Sequence, residues 1–339
     1  MDAEAFERAV AHLAAQPAWV DWELLEEGCR FFVQLWPWVF YSFGWALLGG
    51  FGAESASAVL LESRYWAASG QSGRLDTWRR LRETVCWLFD VAVHGADGFR
   101  EGGTSWKACL HVRFLHTRTR AHIRAMGKWD RGRFGEPINQ AQLAGTLLGS
   151  SVVLLQGMEE MAGLRFPDRA KEAFVHLWAV IGFLFGIDED VNPNRSHRHA
   201  VLAMESVLSQ GIAVQPDPSL SGVLAEHICE SVAAGMREEY GVPASAGLVA
   251  APAWSFLGPS YGAALGLPQC SLSERLLGTA RRGMLSVMLA IWFLPGAPRV
   301  FELIMRTLWI GLVQSIRKRQ PHCRFGATCP FSEGGAKFK

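Results

Sequence analysis

The sequence predicts an all-α protein. Apolar residues recur at helical spacing along almost the whole 339-residue chain, whereas alternating β-branched runs bounded by hairpin turns are scarce. Half of the residues are hydrophobic, so the chain can bury a large core. We expect one helical domain over about residues 1–320 and a loose tail at 321–339. The predicted helices cover about residues 3–15, 20–50 with a break near Pro37, 53–64, 74–94, 104–127, 140–163, 168–186, 195–211, 218–239, 271–294 and 298–318, with none between 239 and 271.

The first predicted helix and the cysteines favour a cytoplasmic protein. The stretch "MDAEAFERAVAHL" is acidic and amphipathic, and it has neither the positive start nor the apolar centre of a secretory signal. The seven cysteines are an odd number and are scattered along the chain, which is typical of reduced thiols. We therefore expect a cytoplasmic protein without a signal peptide, with membrane association as the alternative.

Residues 31–51, "FFVQLWPWVFYSFGWALLGGF", raise the question of a membrane. The segment has no charged residue and is long enough to cross a bilayer. Pro37 and three glycines, Gly44, Gly49 and Gly50, interrupt a straight span, although membrane helices tolerate both residue types. We favour a buried helix pair beside an apolar pocket and keep a transmembrane helix as the alternative.

Later elements have clearer boundaries. In "GEPINQAQLAGTLL", Pro137 favours an extended entry, Asn139 can cap the helix, and Gln142 stands where a capping box needs an amide. The apolar run "GMLSVMLAIWFLPG" is too short to span a bilayer and predicts a core helix that ends at Pro295. The stretches "QPDPSLS" and "GVPASAG" predict turns between helices.

The charge balance and the missing motifs exclude several classes of protein. With 33 basic and 32 acidic residues, the charge predicts neither a nucleic-acid partner nor an anionic membrane surface. The sequence lacks the paired Glu-x-x-His of di-iron bundles, the haem-attachment Cys-x-x-Cys-His, the zinc motif His-Glu-x-x-His, the Gly-x-Ser-x-Gly elbow and the P-loop. The acidic stretch "GIDEDVNP" is expected to solvate a turn. In the tail, "HCRFGATC" offers only three zinc-type ligands at an unusual spacing.

One basic helix, "HVRFLHTRTRAHIR", carries a histidine between two arginines on one face. Arg113, His116 and Arg120 lie on neighbouring turns. Two adjacent cations lower the proton affinity of an imidazole and favour its neutral, iron-binding form. The arginines could also bind carboxylates, such as haem propionates, in bidentate geometry. The alternative is a solvated basic face with a hydrogen-bonded histidine.

A second stretch, "DTWRRLRETVCWLF", repeats Arg80, Glu83, Thr84 and Trp87 at helix spacing. Together the two stretches resemble the latex clearing proteins and MpaB-type oxygenases, which are haem b enzymes with a globin-like helical core. The resemblance continues through "GEPINQAQLAGTLLGSS" and "HLWAVIGFLFGIDEDVNP", so it covers about residues 35–210. It implies a globin-like core with additional flanking helices.

The family's Arg-x-x-His-x-x-x-Arg motif is matched by Arg113, His116 and Arg120, which implies that His116 is the proximal ligand of a haem iron. The two arginines are expected to neutralise the propionates or to fix the imidazole.

The same resemblance places Arg80, Glu83 and Thr84 on the distal side. Rubber-cleaving members have a lysine at the position of Glu83, and a carboxylate cannot imitate a neutral amine ligand. We therefore expect an open distal site in which Glu83 is a base or a hydrogen-bond partner of Arg80, and Thr84 binds the oxygen.

The family implies an oxygenase that uses haem b and dioxygen on an apolar, isoprenoid-like substrate, either to cleave a carbon–carbon double bond or in a related oxygenation. Two other functions remain open: a non-catalytic haem sensor or carrier, and a membrane-embedded helical protein without a cofactor. The aromatic residues expected to line the substrate pocket are Trp36, Trp38, Phe40, Trp45 and Phe89.

Overall fold

The structure, a computed structural model, describes residues 17–63, 70–209 and 216–319. Within these ranges the chain is helical and contains no β-strand, which confirms the all-α prediction. The predicted helix at 3–15 and the tail at 321–339 lie outside the described residues. The helices are α1 Trp22–Gln34, α2 Trp36–Gly50, α3 Glu54–Glu62, α4 Gly70–Val93, α5 Thr104–Ala125, α6 Arg131–Phe134, α7 Gln140–Ser150, α8 Val152–Ala162, α9 Asp168–Phe185, α10 His197–Ser209, α11 Pro218–Tyr240, α12 Ala246–Ala264, α13 Leu272–Trp292 and α14 Ala297–Arg319.

Helices α1 and α2 are the two halves of the uncharged segment. They meet at Leu35, two residues before the predicted break, and are bent by 83°. Pro37 lies in the first turn of α2, where its missing N–H costs no hydrogen bond. Side chains on both sides of the bend, including Phe32 and Trp38, are fully buried, so the prediction of a buried helix pair is confirmed.

Two segments of the described chain are long and apolar enough to cross a membrane. One is the α7–α8 segment, Gln140–Ala162, of which 56% of the apolar window is buried inside the protein. The other is the α1–α2 pair, if its two bent halves are counted as one span. Buried core helices have the same length and composition.

The capping box that begins α7 is present as predicted. Asn139 accepts a hydrogen bond from the Gln142 amide at 3.0 Å, and the Gln142 side chain accepts one from the Asn139 amide at 3.2 Å. The predicted continuous helix over 140–163 is wrong, because the backbone leaves helical geometry at Ser151, with φ −113° and ψ −91°. The Ser151 hydroxyl lies 3.1 Å from the side-chain oxygen of buried Asn194, which anchors this break to the loop after α9.

Helix α12 lies where the sequence predicts no helix. Ser245 caps it by accepting a hydrogen bond from the Leu248 amide, and its middle is kinked at Gly258, with φ 78° and ψ 165°. Pro252 and Pro259 lie inside this helix. Proline is a strong helix breaker in sequence patterns, but packing against α2, α11 and α13 stabilises the helix.

Helix α9 is the central element of the packing. It lies along α1, where Gly28 meets the backbone of Ala173, and it also contacts α5, α7 and α10. Helix α4 packs between α11 and α5. The C-terminal end of α9 contacts the predicted site helices: Phe185 packs against Trp87 of α4 and His116 of α5, and the Gly186 carbonyl that follows accepts a hydrogen bond from Gln140 of α7.

Candidate functional site

The imidazole of His116 belongs to a small aromatic cluster that joins three helices. Phe185, the last residue of α9, meets the His116 ring edge-on, with centroids 5.7 Å apart and planes at 82°. Phe185 also contacts the ring of Trp87 on α4, with centroids 5.5 Å apart. We call His116, Phe185 and Trp87 the His116 cluster. The predicted proximal helix, α5, and the predicted distal helix, α4, therefore both contact the ring of Phe185.

His116 is held in its neutral form. Burial is the main cause, and the positive charge of Arg120 adds to it; together they lower the pKa of the imidazole to about 4. The neutral histidine predicted from the sequence is therefore present, but burial contributes more than the arginines do. Because a neutral imidazole has a free lone pair, this side chain is in the protonation state that an iron ligand needs.

Buried polar atoms of the His116 cluster lack partners. Neither Nδ1 of His116 nor Nε1 of Trp87 has a hydrogen-bond partner in the part of the chain that the structure describes, although both atoms are buried. A buried polar group without a partner costs about 1–3 kcal/mol, so its presence in a folded protein needs an explanation. The residues here fit a group that binds against the His116 imidazole and gives it a partner.

Arg113 supplies a positive charge on the same face as His116. Its guanidinium lies against Gly186, where a Cβ atom would come within 2.8 Å of the Arg113 Cζ atom. Among the described residues, no carboxylate forms an ion pair with Arg113 within 4 Å. Burial lowers the pKa of Arg113, and the more distant charge of Asp188 opposes that shift. Arg113 can therefore accept a carboxylate from a bound molecule.

Gln140 fixes the turn against which Arg113 lies. Its side chain donates to the Gly186 carbonyl at 2.8 Å and accepts from the Asp188 amide at 3.1 Å. The turn needs glycine at position 186, because φ there is +91°. Sequence reasoning missed Gln140, Phe185 and Gly186, although all three lie within stretches that carry the family resemblance.

Arg120 has a different environment from Arg113. It donates from Nε to the Pro137 carbonyl at 3.0 Å and from Nη2 to the Ile138 carbonyl at 2.6 Å. Ile138 is the one residue other than glycine with a positive φ, 54°, in the described chain. Arg120 thus stabilises the turn that precedes α7. To bind a cofactor as predicted, it would have to donate from the N–H groups that these two hydrogen bonds leave free.

On α4, the predicted distal residues are tied to their own helix. Glu83 is buried and accepts a hydrogen bond from Nη1 of Arg79 at 2.8 Å, so its ion pair is with Arg79, the residue before the Arg80 that the sequence offered as one possible partner. The hydroxyl of Thr84 donates to the Arg80 carbonyl at 3.0 Å. Its single proton is therefore used within the helix, and a bond to a ligand would require that proton to rotate away.

Four of the five aromatic residues expected to line a pocket pack as core instead. Trp36 contacts Phe89 and Trp309 at 5.2 and 4.6 Å, Trp45 stacks on Phe256 at 4.8 Å, and Phe40 is exposed. Trp38 donates to the Leu285 carbonyl. A cavity of about 550 Å³ lies elsewhere, between α1, the turn after α4 and α14. Its lining includes Glu26, Arg100 and Arg306, so it is a polar cleft.

No group of three or more histidine, cysteine or acidic residues that could hold a metal ion occurs among residues 17–63, 70–209 and 216–319. The three candidate ligands of "HCRFGATC" lie outside these ranges.

Comparison with known proteins gives the class of this chain. Residues 32–288 match the family model described as ER-bound oxygenase mpaB/B'/Rubber oxygenase, catalytic domain. A rubber oxygenase of Streptomyces sp. (strain K30) is 23% identical over 307 residues, which cover 86% of this chain and 70% of that protein. The solved structure of the latex clearing protein LCP in its closed state is 21% identical, with a TM-score of 0.61, and the match covers 86% of this chain and 77% of that one.

These matches define an all-α oxygenase. The chain belongs to the MpaB and rubber oxygenase catalytic-domain family, which confirms the resemblance recognised in the sequence.

Proposed function

We propose that this oxygenase depends on haem b and cleaves a carbon–carbon double bond of an apolar, polyisoprenoid-like substrate to two carbonyls, using dioxygen. The observation that carries the proposal is the neutral His116, with a buried Nδ1 atom that lacks a partner. The similarity to the Streptomyces rubber oxygenase supports the substrate class. We also propose a cytoplasmic location, on the basis of the cysteine usage.

The residues that would hold the haem are His116 and Arg113. His116 would give one imidazole nitrogen to the iron, and Arg113 would bind a propionate through its unpaired guanidinium. When bound, haem supplies an iron centre that activates dioxygen. Phe185 packs against the His116 ring and limits its rotation, so the imidazole is oriented before the cofactor binds.

On the opposite side, Arg79 fixes the carboxylate of Glu83 in a buried position, and this carboxylate is the proposed acid–base group of the reaction. Thr84 and Arg80 are the proposed polar contacts for the oxygen. Trp87 gives the same helix an apolar surface toward Phe185. This surface would exclude water from the reacting double bond.

The test of the haem site is the visible absorption spectrum of the purified chain, with and without dithionite. We expect a Soret band in the parent protein that is lost or shifted in His116→Ala. The matched control is His122→Ala, an exposed histidine on the same helix, which should keep the band. A parent protein that stays colourless after haem is supplied would contradict the proposal.

The test of the reaction is oxygen uptake by the haem-loaded protein with and without an isoprenoid alkene. Consumption of dioxygen together with the appearance of two carbonyl products is the expected outcome. A haem-loaded protein that consumes neither dioxygen nor alkene would leave His116 as the haem ligand and refute this choice of substrate.

A further inference from the structure

The outer face of the last two helices is unusually apolar. Between residues 272 and 311 the exposed side chains are almost all aliphatic or small, and the two exposed charges are those of Arg275 and Arg299. Val287, Leu303 and Leu308 are 64%, 67% and 63% exposed. The large exposed side chains of this face, called the α13–α14 face, are Leu272, Leu276, Leu277, Met284, Val287, Ile291, Leu294, Val300, Leu303, Ile304, Leu308 and Ile310.

These helices do not need this face for their own packing. Their inner sides are already buried, with Leu289 and Trp292 of α13 and Trp309 of α14 in the main core. Trp309 packs against Trp36, and Trp292 packs against Phe31. An apolar face that remains exposed when the core is complete marks a surface that binds something else.

Both exposed charges between residues 272 and 311, those of Arg275 and Arg299, are positive. Residues 272–311 contain five arginines and two glutamates, a net charge of +3, although the whole chain carries only +1. Both glutamates are already used: Glu274 forms the capping box of α13, and Glu302 pairs with Arg306 at 3.1 Å. The whole chain is nearly neutral, so its net charge alone gave no reason to expect binding to an anionic surface. The positive charge is found only when residues 272–311 are counted by themselves.

The chemistry of the α13–α14 face favours a lipid surface over a protein. Protein interfaces obtain most of their binding energy from tryptophan, tyrosine and arginine, and leucine and valine are under-represented there. The aromatic residues of α13 and α14 lie on the buried or half-buried side. A second copy of the chain, docked by a two-fold axis, would place two faces against each other whose exposed charges, Arg275 and Arg299, are all positive. An aliphatic face bordered by arginines is typical of helices that lie in the headgroup region of a bilayer.

We propose that the α13–α14 face binds the surface of a membrane that contains negatively charged phospholipids, with both helices lying along the lipid. The aliphatic side chains enter the headgroup and acyl boundary, and the exposed Arg275 and Arg299 contact lipid phosphates. The proposal does not depend on the haem site, and it differs from a transmembrane span at 31–51, because much of that segment is buried in the core.

The test is co-sedimentation of the full chain with vesicles of phosphatidylcholine mixed with phosphatidylserine, beside vesicles of phosphatidylcholine alone. The face variant carries Val287→Gln, Leu303→Gln and Leu308→Gln. The matched control carries Leu202→Gln, Leu208→Gln and Val223→Gln, three apolar side chains on α10 and α11 that are about half exposed (53%, 47% and 50%). All six positions are exposed, so both variants should fold, and thermal melts check this.

We expect the parent and the control to sediment with the mixed vesicles and the face variant to bind roughly a hundredfold more weakly, because three aliphatic side chains no longer enter the lipid. Arg299→Glu should weaken binding to the mixed vesicles more than binding to phosphatidylcholine. Equal binding of the face variant and the parent would overturn the proposal. A parent protein that binds neither type of vesicle would also overturn the proposal. This includes the case in which light scattering shows that the parent is a dimer and the face variant is a monomer.

Discussion

Burial moves the pKa of the His116 imidazole to about 4, well below that of a histidine in an unfolded chain, near 6.5. The unfolded chain therefore binds more protons than the folded chain between about pH 4 and pH 6.5, and stability must rise with pH across that window. Other half-buried histidines, such as His176 and His227, shift in the same direction, so only a comparison between variants isolates His116.

The first prediction is that His116→Gln flattens this pH dependence in the haem-free protein. The free energy of unfolding of the parent should fall by up to roughly 3 kcal/mol more than that of the variant as the pH is lowered from about 6.5 to 4. Urea unfolding at a series of pH values measures the difference. Equal slopes for the two proteins would mean that His116 is not buried in the neutral form.

The second prediction concerns Glu83. Glu83→Gln should slow oxygen uptake while leaving the Soret band unchanged, because the amide keeps the shape of the side chain but cannot act as a base. Asp76→Asn is the matched control, since Asp76 is the exposed second partner of Arg79, at 3.5 Å. Unchanged turnover in Glu83→Gln would remove the base from the mechanism, and a lost Soret band would show that the ion pair with Arg79 supports the haem site.

Among individual residues, the sequence identified those that share a helix. Arg113 and His116 could be named because their spacing on α5 is local. Gln140 and Gly186 could not, because they reach Arg113 only through the packing of α7 and α9 against α5. The main cause of the low pKa of His116 was also hidden, since burial depends on contacts such as that with Phe185.

Among the elements, α7 shows how a strained entry is held in place. A branched side chain at positive φ costs about 1–2 kcal/mol, and Ile138 has this conformation directly before the capping residue Asn139. Two hydrogen bonds from Arg120 to the carbonyls of Pro137 and Ile138 oppose that cost. Because α7 also carries Gln140, the same two hydrogen bonds from Arg120 help to fix the turn against which Arg113 lies.

The third prediction is that Arg120→Ala destabilises the protein by about 2 kcal/mol, the usual loss for hydrogen bonds made by a charged group. Arg118→Ala is the control, because Arg118 is exposed on the same helix and lies 6.0 Å from the Phe114 ring. Urea unfolding compares the two variants. Equal free energies of unfolding for the two variants would show that Ile138 keeps its conformation without the hydrogen bonds from Arg120.

Element boundaries could be read from the sequence where side chains act locally. The capping box of α7 needs only Asn139 and Gln142, and its prediction is confirmed. Helix α12 could not be predicted, since Pro252 and Pro259 argue against a helix and only its neighbours stabilise it. The break at Ser151 depends in the same way on Asn194, 43 residues later.

For the whole molecule, the α1–α9 crossing connects the core to the site. Gly28 lies so close to α9 that a Cβ atom there would come within 2.2 Å of the Ala173 carbonyl oxygen. Twelve residues after Ala173, the same helix ends in Phe185, against the imidazole of His116. The sequence indicated an amphipathic helix at each position, but periodicity does not say which faces meet, so this crossing could not be predicted.

The last prediction is that Gly28→Ala weakens both the fold and the site. The two helices must separate to admit the methyl group, because its neighbour is backbone and cannot rotate away, and overpacking of this kind costs typically about 1–3 kcal/mol. A shift of α9 would also move Phe185 away from His116. We therefore expect a lower free energy of unfolding together with weaker haem binding, measured by urea unfolding and by haem titration.

Gly44→Ala is the control for this change. Gly44 lies within α2, and a Cβ atom there would meet nothing within 4 Å, so the substitution should stabilise the protein by about 0.5–1 kcal/mol through the better helix propensity of alanine. The opposite signs expected for these two glycines separate the effect of helix propensity from that of the crossing. If Gly28→Ala were also stabilising, α1 and α9 would have room between them, and α9 could not couple the core to His116.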